Sequence, residues 1–442
     1  MKNQKFGIAP FLVLTCIYFI VGFMTTINGQ FQGPLKVAFL EDAAVLKNTF
    51  TTLISFFFFL GYLLNSTLGG KWIDRLGFKT TVIRALWIMT AGVLVYALSS
   101  WMSINYSHLV LNISNDIIPY GFFVFLLGSF LMGTSAAILQ VVINPYISAY
   151  PLKGTQPIQR VNISFSFNSF ATTVAPFFVT VVIFGGISIE EVTAGQVMVP
   201  TLAIAACVII IALITSRLPL PDLDGIRFNP NKKMSKSIWS YRHFTMGVIA
   251  IFFYVGAEVA IGVNVNLHAM EIEKGIGKLS FFGNQNLIVG GLDLGIPALL
   301  ATLYWGGLMV GRIISGTLKS ISSRTQLVTT ATVAIVLTVL AIIYNNLWIL
   351  ISVGLCHSVM WGCIFTLSTN GLKEYTSKAS GIFMMGVFGG AVFPVLQGVM
   401  SDFIGSWRWT WFIVVVCELI ILYYALYGSR LKESESFELE TL

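Results

Sequence analysis

A single carboxyl group stands in the run FFYVGAEVAIGVNVNLH, residues Phe252 to His268, with apolar or small residues on both sides of Glu258 for a full helical turn. A charged carboxylate at the centre of a membrane-crossing helix is unfavourable by roughly 2.5 to 3.5 kcal/mol on insertion scales, so such an acid is expected to face a polar cavity or to carry a proton there. A group that loses its proton in one conformation and keeps it in another can couple proton flow to the movement of a second solute. The alternative is a glutamate fixed in a hydrogen bond between helices. The other acids read as lying in loops or within a few residues of a span end, which leaves Glu258 as the one acid expected deep in a span. Tyr254 lies one helical turn before it and shares its face, either tuning the acid or packing.

Amides donate and accept at once, which suits a neutral ligand rich in hydroxyls. Those inside apolar runs are Asn28, Gln30 and Gln32 in the first, Gln140 and Asn144 in the fourth, and Asn168 in the fifth. Their alternative role is amide bonding between helices. In CHSVMWGCIF, His357 and Trp361 are four residues apart and share a helix face. An indole can cover the apolar CH face of a sugar while an imidazole bonds a hydroxyl or titrates; the alternative is a packed, hydrogen-bonded pair.

The elements that must position these residues follow from composition. Charged residues make up 10% of the 442, apolar ones 56%, and the mean hydropathy is +0.83, which excludes an ordinary soluble protein. Apolar runs of about 20 residues, each long enough to cross a hydrocarbon core roughly 30 Å thick, recur about twelve times. They lie at about 9 to 32, 50 to 70, 80 to 99, 118 to 142, 164 to 186, 197 to 216, 243 to 266, 293 to 313, 326 to 344, 347 to 368, 380 to 401 and 409 to 427. The run after Lys2 and Lys5 reads as the first span and not as a cleaved leader. An even span number puts both termini on one side, and 21 of the 26 basic residues fall in loops on that side, which makes it the cytoplasm. Lys36, Lys47, Lys274, Lys278 and Arg408 fall on the other. The net charge of +7 thus reports orientation and calls for no nucleic acid.

The longest basic connection, Arg217 to Arg242, holds three prolines and reads as a cytoplasmic linker between two six-helix halves, 1–216 and 243–428, with an acidic solvated tail at 429–442. Traces of duplication support the halves: YFIVGFMTTIN resembles FFYVGAEVAIG, with Gly22 facing Gly256, and FATTVAPFF resembles FGGAVFPVL, with Pro176 matching Pro394. The five cysteines all fall inside apolar runs, so neither a disulfide framework nor a metal site is expected. Trp72, Trp101, Trp239 and Trp407 fall near span ends, as an interfacial belt places them.

Between the second and third spans the chain reads GGKWIDRLGFKTTVIR, with Gly70, Asp74, Arg75, Gly77 and Lys79 in the order of a cytoplasmic gating signature. This resembles the signature of the major facilitator superfamily, where the glycine permits close helix approach and the basic residues hold the loop in the cytoplasm. AAILQVVINPYISAY, RVNISFSFNSFATTVAPFF, FYVGAEVAIG, GLMVGRIISGTLKS and ASGIFMMGVFGGAVFPVLQGVMSD are similar to the fucose, glucose and galactose proton symporter family. The resemblance implies an all-α polytopic protein of twelve helices in two pseudo-symmetric halves, working as a sugar transporter by alternating access. It also groups Arg312 with the gating residues and matches Asn168 to the substrate-contacting Asn of an FNS motif. The departures matter as well. Fucose permeases carry an Asn-Asp pair late in span one and a Glu four residues before the Asn-Pro of span four; here those acidic positions hold Gly29 and Gln140. Gln140 together with Glu258 is closer to the glucose and galactose branch, and the position of His357 is one often held by Asn in the family.

The expectation is a proton-coupled hexose symporter of the cell membrane, functional as a monomer, with Glu258 carrying the proton. The alternative is a sodium-coupled symporter or a facilitator. An enzyme would need a nucleophile with its base, or metal ligands, near the interface, and the sequence offers no such cluster and calls for no cofactor. A nutrient sensor is disfavoured because the longest loop has about 26 residues.

Overall fold

The computed structural model of the chain describes residues 8–430, apart from 114–115, 151, 153–154, 156, 187–190, 219, 221–236, 278, 285–287, 290–291, 294, 318–320 and 373–375. Most of the expected linker and all of the acidic tail after Arg430 lie outside the described residues.

Because lipid satisfies no backbone polar group, an apolar chain of this kind must close its hydrogen bonds within helices. It does so in α1 (Ile8–Gln30), α2 (Gln32–Leu40), α3 (Lys47–Asn105), α4 (Tyr120–Ala149), α5 (Pro157–Phe177) and α6 (Met198–Arg217). After the linker come α7 (Arg242–Ile276), α8 (Ile296–Thr317), α9 (Ser323–Tyr344), α10 (Leu347–Thr369), α11 (Thr376–Met385), α12 (Gly389–Ile404) and α13 (Phe412–Tyr423). Among the described residues eleven helical segments are long and apolar enough to cross a membrane, and α3, with 59 residues, is long enough to do so twice. Its two spans meet at Gly77, where φ of 79° and ψ of 168° define a conformation that side chains avoid. The expected twelve crossings are therefore present.

Helices α1 to α6 pack on one another, with α4 along α3 and α5 against α1; α7 to α13 do the same around α7 and α10. The duplication read in the sequence has a packing counterpart. A Cβ on Gly22 would meet Asn168 of α5 at 2.4 Å, and one on Gly256 would meet Phe393 of α12 at 2.0 Å. Each half thus uses a glycine of its first helix to admit its fifth membrane-crossing element, and that element holds a proline inside it, Pro176 or Pro394.

The halves meet mainly through α3 with α12 and α5 with α8. At one end of the molecule the seam is tight. Asp402 of α12 accepts the backbone N–H of Asn48 (3.0 Å) and of Thr49 (2.7 Å) and the Thr49 hydroxyl (2.6 Å), so a carboxylate of one half caps the first turn of α3 in the other. Lys36 donates to the Asn48 side chain, and a Cβ on Gly398 would meet Thr52 at 2.5 Å and the Asn48 carbonyl at 2.8 Å. The loop before α3 is pinned by Asp116 of a short β-hairpin (β1, Val110–Ile113; β2, Asp116–Pro119), which accepts the N–H groups of Val45 and Leu46 at 2.6 and 2.8 Å. Trp407, expected in an interfacial belt, is buried instead; it packs on Leu267 and Met270, and its backbone N–H donates to Glu271 at 3.0 Å, because the turn between α12 and α13 folds onto the end of α7.

Candidate functional site

Between the halves lies a cavity of about 750 Å³. Its wall in the first half includes Tyr18, Thr25, Tyr62, Gln140, Asn144 and Asn168, and in the second Glu258, Trp305, Arg312 and Trp361. It runs from Thr26 and Val259 at mid-depth to Asn144, Ile313 and Gln326, where α4 and α8 finish and α9 begins. The ring contact of Phe78 with Tyr146, at 5.1 Å between centroids, puts the Gly77 bend at this same end. Ile313, Ser166 and Gly362 are exposed along it, so the cavity opens there and is shut toward Lys36 and Asp402.

Glu258 stands half-buried in the wall, the one carboxyl group among the described lining residues. Helix α7 aims it: Tyr254, one turn earlier, holds its Oε1 at 2.8 Å, and Gly262, one turn later, lets the Trp305 ring pack within 2.4 Å of where a Cβ would stand. Arg312 of α8 acts on Glu258 electrostatically and crosses the seam to bond the Ser169 hydroxyl of α5 at 2.5 Å. The gating residue of the sequence reading is thus part of the cavity wall.

The structure divides the expected pocket residues. Gln140 donates to the Tyr62 hydroxyl at 3.1 Å and Asn168 to the Tyr18 carbonyl at 2.9 Å; with Asn144 they line the cavity. Trp361 lines it too, stacked on Phe365 and 6.1 Å between centroids from Phe165 of the opposite half. The span-one amides do not line it. Asn28 donates to the Ile54 carbonyl at 3.3 Å and accepts from Tyr96, and Gln32 donates to Ser55 at 2.8 Å. Gln30 crosses the seam, donating to the Gly262 carbonyl at 3.0 Å and accepting from Asn266. In this structure the three, expected as ligand groups, tie helices instead, because the end of α1 and the start of α2 turn them into the packed end. Tyr254 and His357 are fully buried behind Glu258 and are absent from the lining.

Two residues escaped the sequence reading. Trp305 lines the cavity, and its indole N–H is buried with no hydrogen-bond partner. The indole argument made for Trp361 applies equally to its segment, YWGG. The second is Glu418. Glu258 was expected to be the one acid deep in a span, but Glu418 is fully buried in the middle of α13 and contacts His357 Nε2 at 2.7 Å. Its run VVVCELIIL carries the signal plainly, since it lies midway between 409 and 427.

In the gating signature, Gly77 makes the bend between spans, whereas a Cβ on Gly70 would meet nothing within 4 Å. The close approach expected at Gly70 is absent with the cavity open at that end. Asp74 lies in α3 with Arg75, which is exposed, and Lys79.

Twelve crossings in two like-packed halves around a central cavity define a membrane transporter. Residues 11–393 match the model of the Major Facilitator Superfamily, and the chain belongs to that family. It is 30% identical over 438 residues to a protein named glucose/galactose transporter of Brucella abortus biovar 1 (strain 9-941), covering 97% of this chain and 95% of the relative. It is 22% identical to the L-fucose-proton symporter of Escherichia coli (strain K12), covering 96% and 94%. Among solved structures it is similar to the inward open conformation of the Escherichia coli xylose transporter (TM-score 0.69, 12% identity, 98% and 99% coverage). It is also similar to the fucose transporter in its outward conformation (TM-score 0.63, 19% identity, 95% and 99% coverage).

Proposed function

We propose that this chain imports a sugar, a hexose such as glucose or galactose, by proton symport through alternating access, with Glu258 as the proton carrier. The observation that carries the reading is the one carboxyl among the described residues lining the cavity, at mid-depth, half-buried, held by Tyr254 and under the electrostatic pull of Arg312. A cavity of about 750 Å³ walled by amides and two indoles suits a polyhydroxylated ring with apolar CH faces. The name of the Brucella relative supports the sugar class, and that of the fucose relative supports the proton. The excess of basic residues in loops at one end supports a cell-membrane protein with that end, both termini and the 217–242 linker between the halves on the cytoplasmic side. The cavity then faces inward.

The test records external pH in lightly buffered, de-energised cells expressing the protein as glucose, galactose, fucose, mannose and N-acetylglucosamine are added in turn. One sugar is expected to alkalinise the medium with wild type and not with Glu258→Gln, while the variant still exchanges that labelled sugar. A second reading is favoured by the electrostatic pull of Arg312 on Glu258: the acid, kept charged, orients the sugar in a facilitator or a sodium-coupled carrier. Labelled sugar entering wild-type cells with no pH change would overturn proton symport and establish this second reading, with sodium dependence separating its two forms.

A further inference from the structure

Behind Glu258, away from the cavity, four fully buried side chains form one hydrogen-bonded group. The Tyr254 hydroxyl lies 2.8 Å from Glu258 Oε1 and 2.9 Å from the His357 carbonyl. The Tyr304 hydroxyl lies 3.0 Å from the Glu258 carbonyl and 2.7 Å from His357 Nδ1. His357 Nε2 lies 2.7 Å from Glu418 Oε1, and Glu418 Oε2 has no partner.

Counting hydrogens fixes the directions. A hydroxyl has one hydrogen to give, and a backbone carbonyl can only accept. Both contacts of Tyr304 are satisfied when it donates to the Glu258 carbonyl and accepts from His357 Nδ1–H. A neutral imidazole protonated at Nδ1 accepts at Nε2, so Glu418 must donate there and must itself be protonated. Were His357 instead to donate from Nε2 to an ionised Glu418, the pair would be net negative with a neutral imidazole or charged on both partners with an imidazolium, in a dry site with one carboxylate oxygen unpaired, a costly arrangement either way. Tyr254 follows the same rule: both its contacts are satisfied when Glu258 is protonated and donates to it. When Glu258 loses its proton, Tyr254 turns its hydrogen from the His357 carbonyl to the carboxylate. Each tyrosine therefore touches Glu258 on one side and His357 on the other.

We propose that His357 and Glu418 form a second proton-holding site, which keeps one proton between them and, through Tyr304 and Tyr254, sets the pH at which Glu258 releases its own. The proposal rests on the reading of Glu258 as the proton carrier. Glu418 touches no substrate and acts as a positioning residue. Facing the pair are Tyr254 and Glu258 from α7, Tyr304 and Arg312 from α8, and Cys356 and Cys417 beside it on α10 and α13. Helix α9, which also packs on α13, carries Arg324 and Tyr344 at its two ends as its titratable groups.

Infrared spectra of the purified protein, titrated with pH and read at the carbonyl stretch of protonated carboxyl groups, test it without need of a sugar. The Glu258 band is the one lost in Glu258→Gln. In Glu418→Gln a further band, one that does not titrate together with that of Glu258, is expected to vanish, and the midpoint of the Glu258 band is expected to move by about one pH unit or more. Tyr304→Phe, which removes one hydroxyl and keeps the ring, is expected to move that midpoint while leaving the Glu418 band, and it carries the test should Glu418→Gln fail to fold. A Glu258 midpoint equal to that of wild type in Tyr304→Phe, or the loss of no further band in Glu418→Gln, overturns the proposal. Loss of no titrating band in Glu258→Gln overturns the proton-carrier reading and the coupling to it, and the Glu418 band then decides the second site alone.

Discussion

The two ends of the molecule are built from similar helices and behave oppositely. At the end near Asp402 the seam between halves is sewn by backbone contacts: the α3 amides reach Asp402, the Gly262 carbonyl takes Gln30, and Gly398 lets α12 lie against Asn48. At the other end Gly70 faces open space and the cavity runs out between α4, α8 and α9. Glycine is common to both ends, but Gly398 admits the opposite half whereas Gly70 meets nothing. A closed end in this protein is a place where side chains of one half grip the backbone of the other, and at the open end the described contacts leave room for the cavity.

The largest effect expected from breaking this contrast is at Asp402. Asp402→Ala removes three hydrogen bonds to a carboxylate, each worth roughly 1.5 to 3 kcal/mol. A cysteine placed at Val263, buried against Gly29 in the seam, should then react with an impermeant maleimide added from the Asp402 side at least about tenfold faster than in the otherwise unaltered protein. An unchanged rate would mean that the cap does not hold this end shut. Next comes the pair Gly77→Ala and Gly70→Ala. The first forces a side chain into a glycine-only conformation and should cost about 1 to 3 kcal/mol of stability, read as a lowered melting temperature in detergent. The second meets nothing and should lie within about 0.5 kcal/mol of wild type. Equal losses would show that Gly70 is packed when the protein is at rest.

The smallest effect is a pH dependence of the closed end. Burial pushes the Lys36 ammonium down from 10.5 to about 8, with Lys274 and Lys47 adding repulsion and Asp402 and Glu271 opposing it. The charged form is therefore the one that the closed end disfavours. Its cost is full below pH 8 and shrinks as pH rises from 8 toward 10.5, so alkaline solution should tighten this end. Maleimide reaction at Val263→Cys should slow across that window after correction for the reagent's own pH dependence, and Lys36→Met should remove the slope.

The fold was legible because its signals are repeated: twelve apolar runs, a one-sided distribution of basic residues, and two glycine positions that recur in the halves. Glu258 was legible because a carboxyl in an apolar run is rare and must be accounted for, and Glu418 was legible by the same rule, which had to be applied to the last span as well as the seventh. The amides were a different matter. Asn28, Gln30 and Gln32 have the same chemistry and the same apolar surroundings as Gln140 and Asn168. What separates them is whether their stretch of helix meets the cavity or the closed seam, and that depends on how two halves lean, which no local pattern encodes. Trp407 was misplaced for a related reason: a span end touches the membrane interface only where no turn folds over it.

The seam at the closed end has an electrical consequence. Its charged members, Lys36 and Asp402, sit at the rim, and each belongs to one half, while deeper in, the ties between α1 and α7 are amide to amide and amide to carbonyl, through Gln30, Asn266 and Gly262. Parting them carries almost no net charge through the membrane field, which acts on a moving elementary charge with about 2.3 kcal/mol per 100 mV. The gate itself then adds little to any voltage dependence. If the proposed proton symport holds, current recorded during sugar uptake should count the protons that accompany it.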